Sequence, residues 1–532
     1  MRVTDSVHPE VVTVRTVAPD SDEPLAIAIR SPRLCAYVDC SPVTGHVVVN
    51  AQTATALNPD TCFRLPPVYP EWLGDRGFTT IHNTRFPYVV GEMARGIATP
   101  EMVIAAAQAG LLGFYGSAGL PLQEVRDGIA RIKVELPTTD FAWGANLIHS
   151  PQQPGLERAV VDLFLETGVK RVSASAFMEL SPEIVRYSAS GLRRSGDRIE
   201  RHTHVFAKVS RVEVAEKFMA PAPEDMLRKL VANGAISAEQ AELAAYVPIA
   251  ADITAESDSG GHTDNRPAAV LFSSVLETAG RIASQHGFDE RAIRIGLAGG
   301  IATPQAVAGA FQMGAAYVLS GSVNQPAAES GLSKAARQML AKAGAADVMM
   351  APAADMFEQG VDVQVLKRGT LFGLYAQRLH TLYRSGATTD NLSADDRQWF
   401  EKRLRQTLDS AWADTCEYLK QKNPQALDNA NADGNYRFAL LCRRYLFMAS
   451  QWARDGEADR EADYQIWCGP AMGAFNQWAK GTCLESLENR TVKQIAWNLL
   501  EGAAQITRAG QLRSSGVALP AGAFRYTPQW FE

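Results

Sequence analysis

GIATPEMVIAAAQAG, from Gly96 to Gly110, returns far downstream as GIATPQAVAGAFQMG, from Gly300 to Gly314. The copies share Gly, Ile, Ala, Thr, Pro, Val, Ala, Gln and Gly in register. Thr99 and Thr303 suit the N-cap of a helix, where a hydroxyl accepts from a free backbone N–H. Pro100 and Pro304 follow in the first turn, where no N–H is needed. Gly110 and Gly314 suit the left-handed stop. An apolar run precedes each unit, PYVVG at 87–91 and IRIGLAG at 293–299. Another follows, LLGFYG at 111–116 and AAYVLSG at 315–321. Strand, helix and strand with brief connections is the βαβ unit of a parallel sheet.

The rhythm persists between the copies. FAWGANL near Asn146, KRVSASA near Ser173, HVFAKVS near Lys208 and ADITAE near Glu256 read as further strands. Helical patterns such as LERAVVDLFLETG, 156–168, separate them. Eight strands over about 235 residues predict a (β/α)₈ TIM barrel. A doubly wound open sheet is the rival, weakened because no G-x-G-x-x-G follows the first strand. The barrel is expected over 81–330. Residues 1–80, with alternating stretches such as HVVVNAQTATAL, predict a small β-rich extension. Residues 331–532 carry long helical patterns rich in Trp and Tyr, and predict a mainly helical region that covers the barrel mouth or forms an interface.

A net charge of −6 argues against a nucleic-acid binder. The chain holds no long apolar run and no signal-peptide core, so neither a membrane span nor export is expected. Cys35, Cys40, Cys62, Cys416, Cys442, Cys468 and Cys483 form no CxxC pair. A reduced, cytoplasmic chain without a metal site is the expectation.

In a parallel barrel the chemistry sits where strands end. Strand seven ends in Gly299-Gly300 and strand eight in Gly321-Ser322. Small residues before a helix N-terminus let backbone N–H groups approach a phosphate. A single such loop is a tight turn; two, at positions seven and eight, predict a phosphate site. Strand six ends in Glu256-Ser257-Asp258-Ser259-Gly260-Gly261-His262. A histidine there can donate or shuttle a proton near neutral pH.

VVGEMARGIATPEMV, AESDSGGH, LAGGIATP and LSGS, in this order, resemble the nitronate monooxygenase and FMN-dependent enoyl-reductase superfamily. VANGAISAEQAELAAYVPIAADITAESDSGGHTDNRP, 231–267, resembles the trans-acting enoyl reductases of polyunsaturated fatty acid and polyketide synthases. APAADMFEQGVDVQVLKRGTLF and YQIWCGPAMGAFNQW extend that likeness into the C-terminal region. The resemblance implies FMN, with NADPH or NADH as hydride donor and the enoyl thioester of an acyl carrier protein as acceptor. It implies Met93 and Ala94 beside the flavin and Asn146 at the end of strand three. It places Glu256 where relatives often carry Gln. Gly260, Gly261, Gly299, Gly300, Gly321 and Ser322 would hold the phosphate. Lys208 would face the flavin ring or pair with Glu256, and His262 would be the catalytic acid. A nitronate monooxygenase and a non-catalytic scaffold of a synthase complex are the alternatives. The oligomeric state stays open, a homodimer among the options.

Two further features have plainer readings. His202 and His204 share a strand face but lack a third ligand, so a packing role is preferred. Arg193, Arg194, Arg198 and Arg201 form a solvated loop or, alternatively, a docking patch for an acidic carrier.

Overall fold

The computed structural model describes residues 23–40, 47–50, 60–138, 141–150, 153 and 155–532. Its centre is a closed barrel of parallel strands: β1 (Tyr88–Val90), β2 (Leu112–Tyr115), β3 (Trp143–Ile148), β4 (Arg171–Ser175), β5 (His204–Val209), β6 (Asp252–Glu256), β7 (Arg294–Ala298) and β8 (Val318–Ser320). Each pairs with its neighbours in chain order, and β8 closes on β1. These are the eight strands expected. Strands buried on both faces read as apolar runs ended by glycine or polar residues, which is why they are legible.

The two repeats form as their spacing predicts. Thr99 Oγ1 accepts from the Met102 N–H at 3.0 Å, and Thr303 Oγ1 accepts from the Ala306 N–H at 3.3 Å. The helices run Pro100–Gln108 and Pro304–Gln312, and both Gly110 and Gly314 take positive φ.

At the N-terminal end, the helix Arg76–His82 plugs the barrel. Phe78 stacks on Tyr317 and meets Phe206 edge-on. Before it, Ala36–Cys40, Val47–Asn50 and Cys62–Leu65 make a three-stranded antiparallel sheet. Of the alternating stretch 46–57, only 47–50 falls within the described residues.

The eighth helix does not follow β8 directly. After a short turn at Ser322–Asn324 the chain leaves the barrel, and the helix Val492–Ser514 brings it back against Pro304–Gln312 and Pro100–Gln108. The approach is close. A Cβ on Gly502 would lie 2.6 Å from Pro304 Cγ, and Trp497 Nε1 donates to the Ala109 carbonyl at 3.1 Å. The intervening residues form a subdomain whose Leu446, Phe447, Gln465 and Trp467 line a cavity at the C-terminal mouth. It has its own apolar core, including Phe357, Phe372, Phe400, Phe438 and Tyr445. It also contains an antiparallel pair, Val348–Pro352 with Asp362–Leu366, which the helical pattern of this region did not suggest. No helix among the described residues is long and apolar enough to cross a membrane.

The arginine cluster lies away from the mouth. Arg193–Ser195 and Arg198–Glu200 form an exposed hairpin leading into β5, hence at the N-terminal end of the barrel. Arg193 faces Glu200 at 3.9 Å and Arg194 faces Glu242 at 3.6 Å. Arg201 turns inward onto the Pro248 carbonyl and the Ser188 hydroxyl. The hairpin thus lies at the barrel end away from the cavity, and of its arginines Arg193 and Arg194 each face a carboxylate.

Candidate active site

The C-terminal ends of the strands and the subdomain above them enclose a cavity of about 330 Å³. Met93, Ala94, Asn146, Lys208, Glu256, Gly260, Gly261, His262, Gly299, Gly300, Gly321 and Ser322 all line it. The structure thus brings to one cavity all twelve residues that the resemblance assigns to catalysis or cofactor binding.

Its floor is ionic. Lys208 Nζ, from β5, lies 3.2 Å from Glu256 Oε1 on β6 and 3.1 Å from Glu92 Oε1 just beyond β1. Burial opposes the ammonium, but the two carboxylates outweigh it and raise its pKa. Burial, aided by the Glu92 charge and resisted by Lys208, raises the Glu256 pKa. Of the two uses expected for Lys208, pairing with Glu256 is the one observed. Glu92 escaped the sequence reading although it is the charged residue that ends an apolar strand, the signal used at the other strands. Its Oε2 is buried and makes no hydrogen bond. Asn146 spends its amide protons on the Ser173 carbonyl and Ser175 Oγ, at 3.1 and 3.0 Å, leaving its oxygen without a donor.

The wall opposite β7 and β8 comes from the loop after β6 and from the subdomain. Gly261 and His262 pair antiparallel with Gln364 and Val363. His262 Nε2 lies 3.1 Å from Asp355 Oδ1, and the imidazole is 39% exposed. Burial would lower the His262 pKa, but Asp355 prevails and raises it. A Cβ on Gly260 would sit 2.8 Å from the Cys468 nitrogen, so the glycine admits the chain of the subdomain. Gly469 N–H donates to Ser322 Oγ at 3.3 Å, tying the same segment to the loop after β8.

The glycine loops leave room. A Cβ on Gly300, at φ 72°, or on Gly321 would meet no atom within 4 Å. Beside them starts the helix Pro304–Gln312, whose N-terminus favours an anion. An open glycine cradle, a helix terminus and a long cavity with an unused amide oxygen fit a flat ligand that carries a phosphate.

A second ionic cluster lies in the barrel's other end. His82, His204 and Asp252 bring ligand-type atoms within 4.8 Å of one another. Arg294 grips Asp252 at 2.7 and 2.8 Å, and Arg171 Nε donates to His82 Nδ1 at 3.2 Å. The two guanidinium groups thus hold Asp252 and His82, while His204 Nδ1 makes no hydrogen bond. His202 lies apart, against Arg193.

Comparison with known proteins agrees with this geometry. The sequence model of the nitronate monooxygenase family matches residues 76–389, and that of the inserted helical domain of [acyl-carrier-protein] S-malonyltransferase matches residues 387–464. A polyunsaturated fatty acid synthase subunit from Thraustochytrium sp. is 42% identical over 90% of this chain. Polyketide biosynthesis protein PksE of Bacillus subtilis is 39% identical over 81%. The chain spans 32% and 56% of the length of these two relatives. The crystal structure of the enoyl reductase domain of MlnA, from the macrolactin biosynthesis cluster of Bacillus amyloliquefaciens, superposes with a TM-score of 0.79. It is 33% identical, and the match covers 84% of this chain and 99% of that one. The chain therefore belongs to the nitronate monooxygenase family, as a relative of the enoyl reductase domain of MlnA.

Proposed function

We propose that this chain is a trans-acting enoyl reductase that binds FMN, takes hydride from NADPH or NADH, and reduces the α,β-double bond of thioesters carried by an acyl carrier protein. The observation that carries the reading is the meeting, in one cavity, of an open glycine cradle at the ends of β7 and β8 with the His262–Asp355 pair facing it. The names of the relatives support the substrate class.

Gly299, Gly300 and Gly321 would hold the FMN phosphate, with Met93, Ala94 and Asn146 along the ring. Bound FMN supplies hydride transfer between a nicotinamide and the β-carbon of an enoyl thioester. The chain's own residues do the rest. Asp355 keeps His262 protonated at higher pH than a free imidazole. His262 then donates to the thioester oxygen, where charge develops, or delivers the proton to the α-carbon. Lys208, fixed between Glu92 and Glu256, holds a permanent positive charge at the floor. The subdomain shields the cavity from water.

The test is anaerobic. The purified chain should be yellow and release FMN by mass. Flavin absorbance lost on adding NADPH should return on adding an enoyl thioester. Return only with oxygen, coupled to consumption of a nitronate, would assign a monooxygenase. A colourless protein that takes up no added FMN would leave a scaffold role.

A further inference from the structure

Arg95 lines the cavity on the side of the subdomain and is unused by the chemistry above. Three observations set it apart. Its backbone has φ 61°, a conformation that glycine adopts freely and arginine only at a cost. That conformation is fastened: the Arg95 N–H donates to the Ala118 carbonyl at 2.8 Å, and Arg454 Nη1 donates to the Arg95 carbonyl at 3.2 Å. The side chain is also fastened. The guanidinium lies 3.8 Å from the centre of the Phe447 ring, and its Nη1 donates to the Phe447 carbonyl and to Ser450 Oγ. Yet no carboxylate pairs with it among the described residues, and its Nε and Nη2 make no hydrogen bond.

A guanidinium locked in place with an unused donor edge and no salt-bridge partner is prepared for an anion with two oxygens to offer. The cavity's other cation, Lys208, is already neutralised by two carboxylates. We infer that Arg95 is the recognition point for a phosphate ester on a ligand entering the cavity beneath the subdomain. If the reductase reading holds, on which the choice of ligand rests, two sources carry that group: the 2′-phosphate of NADPH and the phosphate of a pantetheine arm.

The test measures binding by calorimetry, without turnover, on the flavin-loaded chain. The probes are NADP⁺ against NAD⁺, neither of which can reduce the flavin, and 4′-phosphopantetheine against pantetheine. Arg95→Gly relieves the backbone, so a loss of affinity in it is not a folding defect; retained flavin absorbance checks this directly. It should weaken one phosphorylated probe by roughly 10- to 100-fold and leave its unphosphorylated counterpart within about twofold. Arg95→Lys, which keeps charge without the fork, should fall between. Loss confined to NADP⁺ assigns the nicotinamide cofactor, and loss confined to 4′-phosphopantetheine assigns the carrier arm. Unchanged binding of both phosphorylated probes, equal loss of both members of a pair, or release of the flavin would overturn the inference. Failure of the native chain to bind any of the four would instead count against the reductase reading itself.

Discussion

The two ends of the barrel hold comparable sets of ionisable groups and treat them differently. At the N-terminal end Asp252 accepts two bonds from Arg294 and one from His82, which in turn accepts from Arg171. The Arg171 donor fixes His82 as the neutral tautomer that donates through Nε2. At the C-terminal end Glu92 Oε2 has no hydrogen bond, Asn146 keeps a free oxygen, and Arg95 forms no salt bridge among the described residues. Buried polar groups are normally satisfied within the fold. The paired ions of the lower cluster, in which only His204 Nδ1 lacks a partner, contribute to stability; donors and acceptors left unspent around a cavity mark where a ligand completes the set. Substitutions at the two ends should therefore separate cleanly, stability below and binding above.

The largest effect is expected at the mouth. Gly300→Asp would put a carboxylate into the open cradle and should abolish flavin retention after gel filtration. Gly300→Ala, which carries the same backbone strain without the charge, should retain a measurable fraction. Full flavin in the aspartate variant would remove the phosphate assignment.

At the opposite end, Arg294→Met strands the buried Asp252 charge and should cost about 3–5 kcal/mol of stability, read by urea unfolding. In whatever fraction stays folded, flavin content should not change. The same cluster gives a pH dependence. Burial, reinforced by neighbouring arginines, holds His82 below its ordinary pKa of 6.5 and His204 well below it. Both bind protons on unfolding but not when folded. Their contribution is thus complete above about pH 6.5 and fades as the pH falls further, by up to about 1.4 kcal/mol per pH unit for each imidazole. Asp252, held low by Arg294 and His82 despite burial, adds a loss only in stronger acid. His204→Gln should flatten the slope between pH 6.5 and 5.5; an unchanged slope would locate the titration elsewhere.

A smaller effect is expected from Asp355→Asn. Asp355 raises the His262 pKa, so its removal lowers it. The falling limb of the activity profile, set by loss of the His262 proton, should move to lower pH, with about tenfold less activity at pH 8. A uniform loss at every pH would make Asp355 structural only. The smallest effect belongs to Arg193→Glu with Arg194→Glu. On the barrel's far face, the pair should alter the KM for a carrier-bound thioester by less than about twofold. A large, salt-dependent rise would place carrier docking at this hairpin.

The contrast between the ends also explains what could be read from the chain alone. All eight strands, the two capped repeats and the residues at strand ends were legible, because each depends on local pattern: apolar runs, Thr-Pro starts and glycine stops. Glu92 and Arg95 lie between the first strand and its capped helix, yet nothing local says that a charge beyond β1 meets Lys208 or Phe447. Asp355 and the strand that pairs with His262 lie about a hundred residues beyond it. No periodicity reports a contact of that range. The return of Val492–Ser514 as the eighth barrel helix was hidden for the same reason. The arginine hairpin shows the complementary limit: the sequence identifies the charges, and only topology decides which face they occupy.

The central claim is that His262, held by Asp355 at the mouth, handles the proton of the substrate and not the holding of the flavin. Stopped-flow absorbance on His262→Ala, under argon, separates the two. Bleaching of the flavin by NADPH should proceed at close to the native rate, while recovery on mixing with an enoyl thioester should slow by roughly 10²–10⁴-fold. Recovery at the native rate, with flavin content unchanged, would contradict the account.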